Sequence, residues 1–245
     1  QGIEYLNENG YAVFADVLAP DEITANIDLF WEYLENLPAP YHIRRDESQT
    51  WDAAWPGLTH VGIMPSDGIP HSQFMWCVRG NPHNPIEKSD RCSIQGFVAL
   101  TDNNEYTGGL VVVPESHKHF ADLRLVARNN STRPNFARVR KSHALLKRFK
   151  PRLVKCQAGD LVVFDSRCIH CNTPALQSVN ETEEATSVKT SQCSQLLRLV
   201  AYVCMSPTTM VPSDQLEQFR KTREEFVKNR ISCTHWPCEL NVSGK

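Results

Sequence analysis

Ala158-Gly-Asp-Leu-Val-Val-Phe-Asp-Ser-Arg-Cys-Ile-His170 is the stretch that decides the fold. It reads as a Gly-Asp turn, a buried β-branched strand and a histidine at the strand's far end. Leu197-Arg-Leu-Val-Ala-Tyr-Val-Cys-Met205 reads as a returning strand that carries one arginine. An imidazole at a strand mouth can hold a metal. A guanidinium directed into the same interior can grip a carboxylate with two charge-assisted hydrogen bonds.

Outward from these strands, the chain turns from helical to β-like. Residues 2–8 carry a helical pattern. So do residues 21–36, where Pro20-Asp21-Glu22 gives a start and Ile23, Ile27, Phe30, Trp31 and Leu34 recur at helical spacing. Gly10-Tyr-Ala-Val-Phe14 is a short strand between them. Residues 38–73 are rich in Pro, Trp, His and Asp and predict a long irregular segment. Strands are expected at 92–101, 108–114, 153–156, 161–164, 167–170 and 196–205. A helix is expected to start at Ser116, a basic one over 135–150 and a charged one over 213–230. Helices first and many short strands afterwards predict an α+β chain on a sandwich or jelly roll.

The bulk numbers bound the function. The 245 residues suffice for one large domain, 41% hydrophobic and 22% charged. We expect a single unit over 1–245: a helical and irregular part (1–91), jelly-roll strands with inserted helices (92–206), and a C-terminal helix and tail (207–245). A net charge of −2 gives no global basic field for nucleic acid. The longest apolar runs, such as Gly109 to Pro114, are far too short to span a bilayer. The nine cysteines lack a disulfide-framework spacing and predict reduced thiols in an intracellular, cytoplasmic setting. The chain starts at Gln1, so a targeting segment ahead of it stays open. Oligomeric state is not legible.

Each candidate has a plainer alternative. His170 is a metal ligand or a histidine hydrogen-bonded in the core. Arg198, among Leu196, Leu197, Leu199 and Val200, grips a ligand carboxylate or a protein acid; a guanidinium left alone among aliphatics is costly. His117 and His119 are expected as polar residues at a helix start. Cys168-Ile-His170-Cys171 and Cys233-Thr-His235-Trp-Pro-Cys238 contain zinc-ligand types without a matching second half. The basic run from Arg138 to Arg152 is a solvated face or a receiver for an anionic substrate.

Four segments in order resemble the phytanoyl-CoA dioxygenase-like (PhyH) family of Fe(II)/2-oxoglutarate-dependent oxygenases. They are Gly10–Phe14 with the helix at 21–36; Gln95-Gly-Phe-Val-Ala-Leu-Thr-Asp102 through Gly108-Gly-Leu-Val-Val-Val-Pro-Glu-Ser-His117; Ala158–His170; and Arg198-Leu-Val-Ala-Tyr202. The resemblance implies a double-stranded β-helix (a cupin-like jelly roll) with flanking helices. It implies Fe(II) held by two histidines and a carboxylate, with 2-oxoglutarate as co-substrate and hydroxylation of a small organic molecule as the outcome. His170 would be the second histidine, and Arg198 would hold the distal carboxylate of 2-oxoglutarate.

The family's first histidine and carboxylate come as an H-x-D pair ahead of the strand at 92–101. No H-x-D or H-x-E occurs in this chain. Aligned on Asn84-Pro85, Gly80 and Pro82 stand in the pair's places, and neither side chain binds iron. His83, Glu87 and Asp90 lie nearby at spacings unlike the same-side i, i+2 of an extended pair. A segment with core strands and the pair is therefore expected to be missing between His83 and Asn84. The alternative from a different class is a non-catalytic jelly-roll binding protein that keeps Arg198 as an anion clamp.

Overall fold

The computed structural model describes residues 1–53, 55, 94–123, 139–177, 197–205, 211 and 213–228. The chain opens with α1 (Gly2–Asn9), β1 (Tyr11–Phe14) and α2 (Pro20–Glu35). Between α1 and β1, Gly10 adopts φ 82° and its N–H caps the helix on Leu6 O. A Cβ there would fall on Cys168 Sγ and His117 Nδ1, so only glycine allows so close an approach. At α2 the Glu22 carboxylate accepts the Ala19 N–H, and Pro20 opens the helix, where its missing N–H is harmless.

Seven described strands form two antiparallel sheets. The strands are β1, β2 (Ile94–Ala99), β3 (Gly109–Val112), β4 (Arg152–Leu153), β5 (Leu161–Asp165), β6 (His170–Thr173) and β7 (Val200–Met205). One sheet has the order β1-β5-β2-β7 and the other β4-β3-β6. Phe97, Ala99, Val162 and Phe164 of the first sheet meet Leu110, Val112, Val154 and Cys156 of the second in one buried cluster. Chain alternation makes this possible, because the odd members of β2 and the even members of β5 point inward. The opposite parity packs outward: Val98, Leu100 and Ala201 against Ile23 and Ile27 of α2, and Val163 and Ala12 against Leu6 of α1.

The short connections β2 to β3 and β4 to β5 carry the chain from one sheet to the other across this core. The architecture is α+β: a double-stranded β-helix, or jelly roll, with flanking helices. Among the described residues, β6 and β7 are edge strands of their sheets. The 83/84 junction, where core strands are expected to be missing, lies outside the described residues.

The Gly159-Asp160 turn locks the entry to β5. Asp160 accepts the Gln157 N–H at 2.8 Å through Oδ2 and the Asp16 N–H at 3.1 Å through Oδ1. The remaining elements are 3-10 turns at Ser48–Asp52 and Ser116–Leu123, then α3 (Ala144–Arg148) and α4 (Leu216–Lys228). Of the helix expected over 135–150, the described part keeps only α3. Leu145 N–H bonds to His143 Nδ1 at its start, and Pro151 disfavours helix at Lys150 just past its end. No described helix is long and apolar enough to cross a membrane.

Candidate functional site

His170 opens β6 rather than closing a strand at 167–170, because Asp165 to Ile169 is a turn. Asp165 is fully buried and grips Arg167 twice, with Nε to Oδ1 at 3.0 Å and Nη2 to Oδ2 at 2.9 Å. The same carboxylate accepts the Arg167 N–H, and the Asp165 carbonyl accepts the Cys168 N–H at 2.8 Å. Buried Ser116 completes the frame: its hydroxyl donates to Val113 O at 2.6 Å and accepts the Ile169 N–H at 2.9 Å. Sequence reasoning missed these supports. The Asp-Ser-Arg triplet was their signal, since Asp side chains bond the backbone two residues on.

The turn aims the His170 ring. Nδ1 lies 2.8 Å from the Cys168 carbonyl, which can only accept, so Nδ1 carries the proton and Nε2 keeps a free lone pair. The ring rests on Phe164, with centroids 4.7 Å apart. His170 pairs across the ladder with Val112, an inward residue, and therefore faces the space between the sheets. Its surface is open, yet protein surrounds the ring closely enough that burial holds its pKa below the ordinary imidazole value.

Arg198 lies just before β7. The ladder extends past the strand, with Leu100 N–H on Leu199 O and Leu199 N–H on Thr101 Oγ1. Val200 and Tyr202 face the inter-sheet core, while Leu199, Ala201 and Val203 face α2. Arg198 is two residues before Val200 and precedes the strand itself. It is half-buried and has no hydrogen-bond or ion-pair partner among the described residues. His170 thus opens β6 of one sheet and Arg198 precedes β7 of the other.

The described residues do not assemble a three-ligand metal site. No group of three His, Cys, Asp or Glu side chains among them could hold a metal ion. Cys168 bonds Gly10 O through its thiol, and burial pushes its pKa up to about 12. Cys171 is exposed and faces outward, opposite Val111. The expected triad of two histidines and a carboxylate is therefore not met by what is described. Gly80, Pro82, His83, Glu87, Asp90 and the Cys233–Cys238 motif lie outside the described residues.

His117 stands at the start of the Ser116–Leu123 turn, as expected, but it is buried there. It is 5% exposed, its Nε2–H donates to Asn7 O at 2.9 Å, and its Nδ1 has no partner. Burial lowers its pKa, aided by Arg167 and Lys118 and opposed by the Asn7 bond and Asp165. The folded ring takes its proton at a lower pH than the unfolded one, whose ordinary value is 6.5. The stability it contributes is full above that pH and declines as pH falls below it. Urea midpoints measured from about pH 8 down to about pH 5 should therefore drop, and the drop should be smaller in His117→Gln. An unchanged pH profile in that variant would contradict the assignment.

Comparison with known proteins covers two of the four ordered segments, those at 95–117 and 158–170. The family model described as phytanoyl-CoA dioxygenase (PhyH) matches residues 81–174. No curated protein matches the chain. Among solved structures, SnoK, a non-heme alpha ketoglutarate dependent carbocyclase from nogalamycin biosynthesis, is 16% identical, with 82% of this chain and 95% of that chain covered and a TM-score of 0.40. EctD from S. alaskensis in its apoform is 12% identical, with 84% and 76% covered and a TM-score of 0.44. HygX from Streptomyces hygroscopicus, solved with nickel and 2-oxoglutarate bound, is 13% identical, with 73% and 81% covered and a TM-score of 0.39. Over residues 81–174, which include the His170 strand mouth, the chain is similar to the phytanoyl-CoA dioxygenase (PhyH) family.

Proposed function

We propose that this chain, a single domain over 1–245, is an Fe(II)/2-oxoglutarate-type dioxygenase scaffold that takes up 2-oxoglutarate through Arg198 but does not hydroxylate. What supports the reading is a guanidinium with no partner among the described residues, two residues before inward-packed Val200, together with an imidazole on the inward parity of β6 whose Nε2 is free. A dicarboxylate fits a lone arginine set into an apolar wall, because each desolvated charge needs the other. His170 would offer one ligand to a metal. Iron in this family supplies oxidative chemistry when held by three protein ligands, and the absence of any H-x-D or H-x-E pair leaves that set incomplete.

The second reading is an active dioxygenase that hydroxylates a small, anionic organic substrate, with ligands supplied beyond the described residues. Anaerobic Fe(II) titration and an aerobic succinate-release assay separate the two. The proposal expects 2-oxoglutarate binding without stoichiometric iron and without succinate. One iron per chain, lost in His170→Ala and accompanied by succinate release, establishes the active enzyme instead. A longer transcript carrying an H-x-D segment between residues 83 and 84 is expected to restore both.

A further inference from the structure

Charge is divided sharply along this chain. Residues 1–53 hold eleven of the 28 Asp and Glu and only two Lys or Arg. Residues 139–154 hold six Lys or Arg and no acid. All six (Arg140, Lys141, Lys147, Arg148, Lys150 and Arg152) are exposed, and none has an ion-pair partner among the described residues. Arg148 is braced over the Phe149 ring at 4.9 Å, which holds one cation of the group in place.

Apart from Arg152, which reaches Tyr11 of β1, the two surfaces stand on different halves of the sandwich. α1 and α2 cover the outer side of the β1-β5-β2-β7 sheet. α3 packs through Leu145 on Phe120, Leu123 and Ile169, beside β6 of the other sheet. Among the described residues no ion pair joins residues 1–53 to 139–154, and within the acidic part only Asp28 is paired with an arginine, Arg45 at 2.6 Å. On α2, Asp21, Asp28 and Glu32 recur at one-face spacing and are exposed, and Glu8 is exposed on neighbouring α1.

We infer that the basic surface around α3 docks on the acidic α1–α2 surface of a second copy of this chain. The occupant follows from charge complementarity, because the matching surface is carried by the same molecule. A contact between two different surfaces is heterologous. It adds copies head to tail rather than closing a pair. Exposed charges in water supply it, so it weakens as salt shortens the screening length to about 10 Å and below.

Sedimentation velocity tests the inference. At about 20 mM salt the weight-average sedimentation coefficient should climb with protein concentration and reach no dimer plateau. At about 300 mM salt the association constant should fall by at least about tenfold. Two variants should each sediment as monomers at low salt: K147E/R148E/K150E and E8K/D21K/E32K. Both sets lie on exposed positions, and circular dichroism confirms that the variants remain folded. Mixed in equal amounts, the two should associate again, since each now carries what the other lacks. Monomeric wild-type protein at low salt, association indifferent to either triple substitution, or a mixture that stays monomeric overturns the inference. Association seen only on adding heparin assigns the basic surface to a different polyanion and overturns it as well.

Discussion

Gly96→Ala is expected to leave little or no folded protein. Gly96 lies in the middle of β2, with β5 on one side and β7 on the other, opposite Val163 and Val203. A Cβ built there falls on the Val162 carbonyl oxygen, with the Val163 Cα 3.2 Å away. Those atoms are main chain in a paired strand and cannot swing aside as a side-chain tip can. Relief requires prising β5 from β2, and with them the core of Phe97, Val162 and Phe164. Overpacking of a rigid core costs roughly 1–3 kcal/mol, and the broken ladder adds to it. A domain holds only about 5–15 kcal/mol in total. The measurement is soluble yield together with the urea midpoint. A variant with wild-type yield and midpoint would show that β2 and β5 do not pack as described.

Arg198→Ala is expected to weaken 2-oxoglutarate binding by about 10- to 150-fold. That range corresponds to about 1.5–3 kcal/mol for charge-assisted hydrogen bonds to a carboxylate. Arg198→Lys should recover only part of the loss, because an ammonium keeps the charge without the planar fork. Folding stability should hardly change, since Arg198 has no partner among the described residues whose loss would leave a charge unpaired. Calorimetric titration of the three proteins gives the answer. Equal affinities in wild type and Arg198→Ala would remove Arg198 from the site.

How far the sequence carried depended on whether a feature was periodic or only local. α2 was legible because Ile27, Phe30, Trp31 and Leu34 repeat along one buried face and Pro20 marks the start. β5 was legible because Leu161–Phe164 is an apolar run set off by Gly159-Asp160. The inward parity of His170 follows from alternation, once the ladder pairs it with Val112. The turn that aims His170 was hidden, because Cys168-Ile-His170 alternates as a strand would. Its turn state rests on the Asp165 carboxylate and the Ser116 hydroxyl, 53 residues before Ile169. Burial of His117 was hidden for the same reason: its partner is the Asn7 carbonyl, 110 residues away. The length of α3 was misjudged on composition, although Pro151 could have corrected it.

The most direct test of the central claim places the two groups in one interior. In protein labelled with 15N-histidine, 2-oxoglutarate alone should shift the ring signal of His170 and leave that of His143 on α3 unmoved. The shift should vanish in Arg198→Ala. A His170 signal that stays in place while saturating 2-oxoglutarate binds through Arg198 would contradict the account, because the imidazole and the guanidinium would then open onto separate spaces.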